Sequence, residues 1–298
     1  MNTSRNIPLF IAFRVLFNAR FYYPVLGVLF LDLGLTLEQY SLLNVAWAVA
    51  IVTLEVPSGA LADVIGRKRM VVLAASLMVA EMLLFAFAPT GRPTLLFVML
   101  LLNRILSGAA EASASGADEA LAFDSLPADG RDKSWPRVLE SLMRWQSGAF
   151  FVAMIAGGLL YDPAAARSIA KFFGSDWSPA AHEMVRWPVY GTLATAFLCL
   201  GVALAMREPA VKHSADGTST LRLALRGILD GARVVITDRR IQLVLLTALT
   251  CDSIVRLFMT FEANYLRLIA IPEFLFGVIG AAFGLLGFVT APLARSMV

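Results

Sequence analysis

Long apolar runs separated by short polar segments dominate the hydrophobic pattern of this 298-residue chain. An α-helix needs about 20 such residues to cross a hydrocarbon core roughly 30 Å thick. Eight runs come near this length, at residues 8–31, 40–61, 70–88, 94–117, 139–160, 187–206, 242–266 and 273–294. The pattern therefore predicts an all-α, polytopic membrane protein whose spans are in contact with the lipid bilayer.

The composition agrees with a membrane protein and excludes several other classes. The chain is 58% hydrophobic and 16% charged, whereas about a quarter of the residues are charged in soluble domains. Its net charge of +3 does not indicate a nucleic-acid partner, because the basic residues collect in the polar segments. No nucleotide-binding or hydrolase motif occurs, and His182 and His213 lack the spacing of metal ligands. We therefore predict no metal, no cofactor and no catalytic residue.

Lysine and arginine residues are distributed unequally between the two sets of polar segments. The set that includes the N-terminus carries fourteen of them, and the other set carries five. Basic residues concentrate on the cytoplasmic side of membrane proteins. The N-terminus is therefore predicted to be cytoplasmic, in a multi-pass protein of the cell (inner or plasma) membrane. Arg5 is the only base before the first run and no cleavage site follows it, so this run is predicted to be retained as a span.

The polar residues 59–69 lie between the second and third runs. They predict a turn of about eight residues, in which Gly59 and Gly66 are free to adopt positive φ. Asp63 is predicted to cap a helix or to pair with a base. This segment resembles the loop between the second and third helices of the major facilitator superfamily of secondary transporters. The residues that match the loop are Gly59, Leu61, Asp63, Gly66, Arg67 and Lys68.

The resemblance implies a monomeric transporter with two six-helix halves, which moves a small solute by alternating access. It also implies coupling to protons, as symport or antiport, and a conformational-switch role for the matching loop residues. Residues 1–206 then form the first bundle, 207–240 a cytoplasmic linker and 241–298 a partial second bundle of two helices. Because only two spans follow the linker, we expect a chain truncated after the eighth helix. A non-transporting membrane protein or scaffold is the alternative function.

The fourth run carries three ionisable residues at intervals of seven positions: Arg104, Glu111 and Asp118. This spacing predicts one slowly drifting stripe along a single helix. Arg104 and Gly108 are similar to the arginine motif in the fourth helix of the superfamily, so the resemblance implies a coupling or substrate role for Arg104. A buried structural ion pair is the alternative, because an unpaired buried arginine is destabilising.

The first two runs contain further polar candidates. Arg14, Asn18 and Tyr22 follow one another at four-residue spacing, which predicts one polar face on the first helix. Glu55 and Glu111 are predicted to be the coupling carboxylates, since burial favours the protonated form of a carboxylate and a nearby arginine favours the ionised form. The predicted partner of an ionised Glu55 is Arg14 or Arg104. A permanent salt bridge that locks the spans together is the alternative.

The other charges within the runs have simpler interpretations. Arg20 lies off the polar face of the first run and is predicted to pair elsewhere, and Glu81 is predicted to serve helix packing. Asp252 and Arg256 are four residues apart, so they can neutralise each other on one helix. We expect the substrate to bind between helices one, two, four, five and seven. The candidates for the coupling and substrate cavity are Arg14, Asn18, Tyr22, Asn44, Glu55, Arg104, Gly108, Glu111, Asp252 and Arg256.

Two observations concern the fifth and eighth runs. Exporters of the superfamily often carry a proline where this chain has Met154, so the direction of transport is not predicted. One face of the eighth run consists of small residues that allow helices to approach closely. These residues are Gly277, Gly280, Gly284 and Gly287.

Overall fold

The computed structural model describes residues 5–208 and 237–282, and within these ranges every regular element is a helix. The prediction of an all-α fold is therefore confirmed. The helices are α1 (Asn6–Asn18), α2 (Leu26–Asp32), α3 (Leu37–Ile65), α4 (Arg67–Ala86), α5 (Pro93–Ala114), α6 (Ala117–Asp124), α7 (Arg131–Tyr161), α8 (Pro163–Phe172), α9 (Ala181–Met184), α10 (Trp187–Ala205), α11 (Arg239–Leu268) and α12 (residues 274–282).

Several of these helices are suited to crossing a membrane. Five described stretches are both long and apolar enough, and a sixth span results if α7 and α8, which meet at 92°, are counted together. The five stretches are Asn6–Asp32, Leu37–Ile65, Arg67–Ala86, Pro93–Asp124 and Ala181–Ala205. Helix α11 has 30 residues, so it extends about 45 Å at 1.5 Å per residue. Most of the predicted linker and residues 283–294 of the predicted eighth span lie outside the described residues.

Helix α4 lies at the centre of the first bundle, where it packs against α5 and α10, while α3 packs against α5 and α1 packs against α10 and α7. Small residues allow these close approaches. A Cβ atom at Gly108 of α5 would lie 2.7 Å from the carbonyl oxygen of Trp47 in α3. Gly108 therefore has a packing role, since only a hydrogen fits at this helix crossing.

The first span is broken, which corrects the prediction of one continuous helix. Helix α1 ends at Asn18, whose side-chain amide donates to the carbonyl oxygen of Arg14 at 2.9 Å. Pro24 lies in the turn that follows, and it lacks the N–H group that a continuing helix would use. Tyr22 therefore lies beyond the end of α1 and does not extend the polar face of Arg14 and Asn18.

Neighbouring helices hold this break in place. The N–H group of Phe21 donates to the hydroxyl of Thr192 in α10 at 3.0 Å. Gly157 of α7 packs directly against the carbonyl oxygen of Phe21, where a Cβ atom would collide. The guanidinium of Arg20 reaches Glu81 of α4 at 2.5 Å. The break is therefore a fixed feature of the bundle, and the prediction that Glu81 serves helix packing is confirmed.

A single residue, Gly66, connects α3 and α4, which corrects the predicted turn of about eight residues. Its φ of 101° lies in a region that glycine adopts readily and other residues rarely adopt. Gly59 and Asp63 belong to α3 and are not part of a turn. We call the end of the bundle that contains this connection the Gly66 end, and the opposite end, where α2 terminates, the Asp32 end.

The helix of the fourth span is interrupted between Glu111 and Asp118, which corrects the predicted stripe of three charges on one helix. Helix α5 ends at Ala114, and Gly116 then adopts a φ of 74° before α6 begins. Asp118 consequently points in a direction set by α6, and its partner lies on α1. The seven-residue spacing fails here because a positive-φ residue interrupts the helix on which that spacing depends.

Residues 162–186 were predicted to be a polar connection, but they contain the helices α8 and α9. The carboxylate of Asp162 caps α8 by accepting the N–H groups of Ala164 at 2.7 Å and Ala165 at 3.3 Å. Its second oxygen accepts the N–H group of Phe274, at the start of α12, at 3.2 Å. Asp162 followed by Pro163 is a typical helix start, so this signal was present in the sequence.

The predicted glycine face of the eighth run packs against α7. A Cβ atom at Gly158 of α7 would lie 2.8 Å from the carbonyl oxygen of Phe274. In α12, Gly277 meets the Met154 carbonyl oxygen, and Gly280 meets the Met154 side chain. The packing prediction is confirmed for these two glycines, while Gly284 and Gly287 lie outside the described residues.

Candidate functional site

The basic residues that follow Gly66 join the helices at this end of the bundle. Arg67 forms an ion pair with Asp124 of α6, and it also donates to the carbonyl oxygen of Ala120 at 2.9 Å. Arg131 of α7 approaches the same carboxylate at 3.4 Å. Asp124 therefore connects the α3–α4 junction to α6 and α7. It was not among the predicted site residues, because ion pairs between distant segments leave no spacing signal in the sequence.

The first turn of α4 is capped by a residue from the end of the first bundle. The two carboxylate oxygens of Glu208 accept the N–H groups of Arg67 at 2.9 Å and Lys68 at 2.8 Å. A carboxylate in this position satisfies free N–H groups and interacts favourably with the helix dipole. The side chain of Asp63 makes no hydrogen bond or ion pair within residues 5–208 and 237–282. Glu208 therefore fills the capping role that was predicted for Asp63.

Arg14 is neutralised by the short helix α6. Its Nε atom lies 2.5 Å from Oδ2 of Asp118, and its Nη2 atom lies 3.2 Å from Oε1 of Glu119. The side chain of Asp118 is fully buried, whereas that of Glu119 is half exposed. The partner of Arg14 is therefore α6, which corrects the prediction that Glu55 pairs with it.

Arg104 has a different environment, although it is also buried. Only 6% of the residue is exposed, and its Nη2 atom donates to Oδ1 of Asn44 at 2.8 Å. Its guanidinium lies over the ring of Phe30 at 5.4 Å from the centroid. No carboxylate of a described side chain lies within ion-pair distance of Arg104. The alternative of a buried structural ion pair therefore has no support among these residues.

The Asp32 end contains a second network of charges, which joins α2, α7 and α11. Arg267 makes two parallel contacts with the carboxylate of Asp32, at 2.7 and 2.8 Å. The hydroxyl of Tyr161 donates to Asp32, and Glu273 forms an ion pair with Arg267. None of these four residues was predicted to be functional. Each one borders an apolar run, where polar and charged residues are common in any membrane-spanning helix.

Further contacts at this end join the first bundle to α11. The hydroxyl of Tyr40 in α3 donates to the Thr260 carbonyl oxygen at 3.1 Å, and its ring packs edge-on against Phe261. Gly27 of α2 packs against the side chain of Asn264. By contrast, every described side chain from residue 242 to residue 259 is exposed. The described part of α11 therefore contacts the first bundle at the Asp32 end, whereas its described side chains towards the Gly66 end are exposed.

The helical membrane architecture, the short α3–α4 junction and the internal charges agree with one family of transporters. A family model described as the Major Facilitator Superfamily matches residues 9–298. The chain belongs to this superfamily. It is therefore a multi-pass membrane protein and a secondary transporter, from a family whose members are transporters and not enzymes. No curated protein matches the chain significantly.

Two carboxylates of this superfamily member have no ion-pair partner among the described side chains. Glu55 of α3 is exposed, and its Oε1 atom lies 3.5 Å from the hydroxyl of Ser115. Glu111 of α5 is partly buried. Neither residue forms a salt bridge with a described side chain. The alternative predicted for these two carboxylates, a permanent salt bridge that locks the spans, is therefore not formed by Glu55 or Glu111 within the described part of the chain.

The remaining candidates are distributed as follows. Asn18 is occupied by its bond to the backbone of α1, and Tyr22 accepts a hydrogen bond from Arg20 at 2.8 Å. Arg256 is exposed on α11, and the side chain of Asp252 lies outside the described residues. The pairing predicted for these last two residues stays a prediction.

Proposed function

We propose that this transporter moves a small solute across the cell membrane by alternating access and that protons are the coupling ions. The Gly66 end is placed on the cytoplasmic side, because the basic segments collect there. The observation that carries the proposal is the uneven contact along α11. Its hydrogen bonds, ion pairs and ring contacts with α2 and α3 fall between Thr260 and Arg267. A bundle closed at one end and open at the other corresponds to one state of an alternating-access cycle.

The network at the Asp32 end is suited to opening and closing. The side chains of Asp32 and Arg267 are each about a third exposed, so water can hydrate them when they separate. Ion pairs with this exposure stabilise a structure by only about 0–1 kcal/mol. Breaking the pair is therefore compatible with a reversible conformational change. Opening of this end would give the outside access to the space between α11 and the first bundle while the Gly66 end closes.

Proton coupling requires a carboxylate that gains and loses a proton without disrupting the fold. Asp118, Asp124 and Glu81 are held in ion pairs within the first bundle. Glu55 and Glu111 have no such partner among the described residues, so their protonation would break no salt bridge. We therefore assign the coupling role to Glu55 and Glu111, and we place the substrate in the cleft between α1, α3, α5, α7 and α11.

The alternating-access proposal can be tested without knowing the substrate. A cysteine is placed at Asn264, which packs against Gly27 at the closed end, and the exposed native Cys251 is replaced by serine. In right-side-out vesicles, a membrane-impermeant maleimide should label this cysteine slowly. Adding Arg267→Gln should raise the labelling rate about three- to tenfold, which corresponds to roughly 0.7–1.4 kcal/mol. The matched control is Lys171→Gln, a charge removal at an exposed position of α8, which should leave the rate unchanged.

An identical labelling rate in the parent and in the Arg267→Gln variant would contradict the role of this network. The same labelling assay, carried out at several pH values, also tests proton coupling. The labelling rate at position 264 should depend on pH after normalisation to a cysteine at the exposed position 171. This dependence should weaken in Glu55→Gln or in Glu111→Gln. If both variants retain the full pH dependence, these residues are not the coupling carboxylates.

A further inference from the structure

Arg104 is a buried cation whose charge is not balanced by the described part of the protein. Asn44 supplies one hydrogen bond and Phe30 supplies a ring face. The Nε atom of Arg104 is buried without a hydrogen-bond partner. Removal of a guanidinium from water is unfavourable unless an opposite charge and hydrogen bonds replace the lost hydration. The site therefore lacks one negative charge and at least one acceptor atom.

Two other arginines of the first bundle have the carboxylate partners that Arg104 lacks among the described residues. Arg20 is paired with Glu81, and Arg14 is paired with Asp118 and Glu119. Since each of these charges is already neutralised within the first bundle, a ligand would have to displace a carboxylate to reach them. Arg104 is available for an external anion without such a displacement.

The aromatic ring of Phe30 lies against this cation, and further rings extend from it towards α11. The ring of Phe30 lies 5.4 Å from that of Tyr40, and the Tyr40 ring lies 6.3 Å from that of Phe261. The same Tyr40 donates its hydroxyl to the Thr260 carbonyl oxygen. Arg104 and Asn44 therefore lie beside the contact by which α3 holds α11 at the closed end. An apolar body attached to an anionic group would find aromatic surface next to the guanidinium.

We propose that Arg104, positioned by Asn44, binds the carboxylate of an organic anion with an apolar body, and that this anion is the transported solute. This inference rests on the proposed transport function and specifies its substrate class. A carboxylate accepts two hydrogen bonds from one guanidinium, so it would supply both the missing charge and an acceptor for the unpartnered nitrogen. Binding at this position would also link the ligand to the Tyr40–Thr260 contact.

The test measures thermal unfolding of the full chain purified in detergent. The probes are sodium acetate, hexanoate and benzoate, each compared with its uncharged amide and with sodium chloride at the same concentration. At about ten times its dissociation constant, a bound carboxylate should raise the unfolding midpoint by roughly 2–5 °C. The matching amide and chloride should produce no comparable shift. Lys171→Gln, which removes an exposed charge on α8, should respond as the parent does.

Two variants assign the effect to Arg104. Arg104→Gln should lose the carboxylate-dependent shift. Asn44→Asp keeps the side-chain shape and places a carboxylate next to the guanidinium, at the position where Oδ1 now lies 2.8 Å away. This variant should unfold at a higher temperature and should no longer respond to added carboxylates. It keeps the test informative if Arg104→Gln does not fold.

The inference would be overturned if no carboxylate raised the unfolding midpoint of the parent protein more than its amide does. It would also be overturned if sodium chloride alone raised this midpoint, or if Asn44→Asp kept the full carboxylate-dependent shift. The labelling assay at position 264 is independent of these measurements. If the Asp32 end opens but no carboxylate binds, transport stands and the substrate class is wrong. If a carboxylate binds but the end does not open, the site stands and alternating access is wrong.

Discussion

Two buried arginines in this transporter have opposite environments. Arg20 is 3% exposed, and it bonds to the carboxylate of Glu81 at 2.5 Å and to the hydroxyl of Tyr22 at 2.8 Å. Arg104 is 6% exposed, and it bonds to the neutral amide of Asn44. Burial alone therefore does not separate a structural charge from a functional one. The presence or absence of an opposite charge makes the distinction.

The positions of the two arginines fit this difference. Arg20 lies in the break of the first span and ties it to α4, the most buried of the spans. Arg104 lies on α5 beside α3, close to the aromatic residues that reach α11. A charge that is fully compensated within one bundle can hold the bundle rigid. A charge left uncompensated near the junction of the two bundles can respond to a ligand.

The largest expected effect follows from removing the partner of Arg20. Glu81→Gln leaves a buried guanidinium without its carboxylate, which should lower the free energy of unfolding by about 3–5 kcal/mol. Arg104→Gln leaves no opposite charge unpaired, so it should change the free energy of unfolding by no more than about 1 kcal/mol. Both values can be measured by denaturant titration of the detergent-solubilised protein. Equal losses in the two variants would remove the distinction between these arginines.

Replacing both members of the Arg20 pair provides a control for the same prediction. A buried ion pair exchanged for apolar residues of similar volume is often neutral or stabilising. The double variant Arg20→Met/Glu81→Met should therefore recover most of the stability lost in Glu81→Gln. A double variant as unstable as the single one would indicate that the hydrogen bond to Tyr22, and not the charge pairing, dominates at this site.

The sequence predicted the overall architecture because apolar runs and helix length depend on local composition. It predicted that Arg20 pairs elsewhere but did not identify the partner, because Glu81 lies on another helix and has no spacing relation to Arg20. The polar face predicted for Arg14, Asn18 and Tyr22 failed for a related reason. Four-residue spacing is informative only within one continuous helix, and α1 ends at Asn18, before Tyr22.

An intermediate loss of stability is expected from a substitution in α7 where this helix approaches the break that contains Arg20. Gly157→Ala places a methyl group against the carbonyl oxygen of Phe21, and overpacking of this kind lowers stability by about 1–3 kcal/mol. Gly201→Ala in α10 is the matched control, because nothing lies within 4 Å of its Cβ position. That variant should be neutral or more stable by roughly 0.5–1 kcal/mol, since alanine favours helix more than glycine.

The comparison of these two alanine variants also tests whether the break is rigid. If Gly157→Ala unfolds at the same denaturant concentration as the parent, Phe21 can move away from α7 and the break is adaptable. A loss confined to Gly157→Ala would show that α7 fixes the backbone of the first span. Arg20 would then be positioned by its surroundings as well as by Glu81.

The matching loop residues illustrate what a motif does and does not determine. Gly66 was predicted to permit a tight turn, and its φ of 101° agrees with that role. The length of the turn was overestimated because Gly59 and Asp63 continue α3, as hydrophobic patterning cannot locate a helix end within a polar segment. Glu208 accepts the N–H group of Lys68 at the start of α4. Because Glu208 lies far from Lys68 along the chain, the sequence does not indicate this contact.

The smallest expected effect sharpens the same contrast between paired and unpaired charges at the Gly66 end. Glu208→Gln keeps an acceptor for the first turn of α4 but removes its negative charge, so the free energy of unfolding should fall by about 0.3–1 kcal/mol. Asp63→Asn removes a charge that has no partner in the described structure, and it should leave stability unchanged within about 0.5 kcal/mol. In the labelling assay at position 264, however, Asp63→Asn should alter the rate if Asp63 acquires a partner in the other state of the cycle. A stability loss in Asp63→Asn that matches that of Glu208→Gln would mean that Asp63 already stabilises the conformation described here.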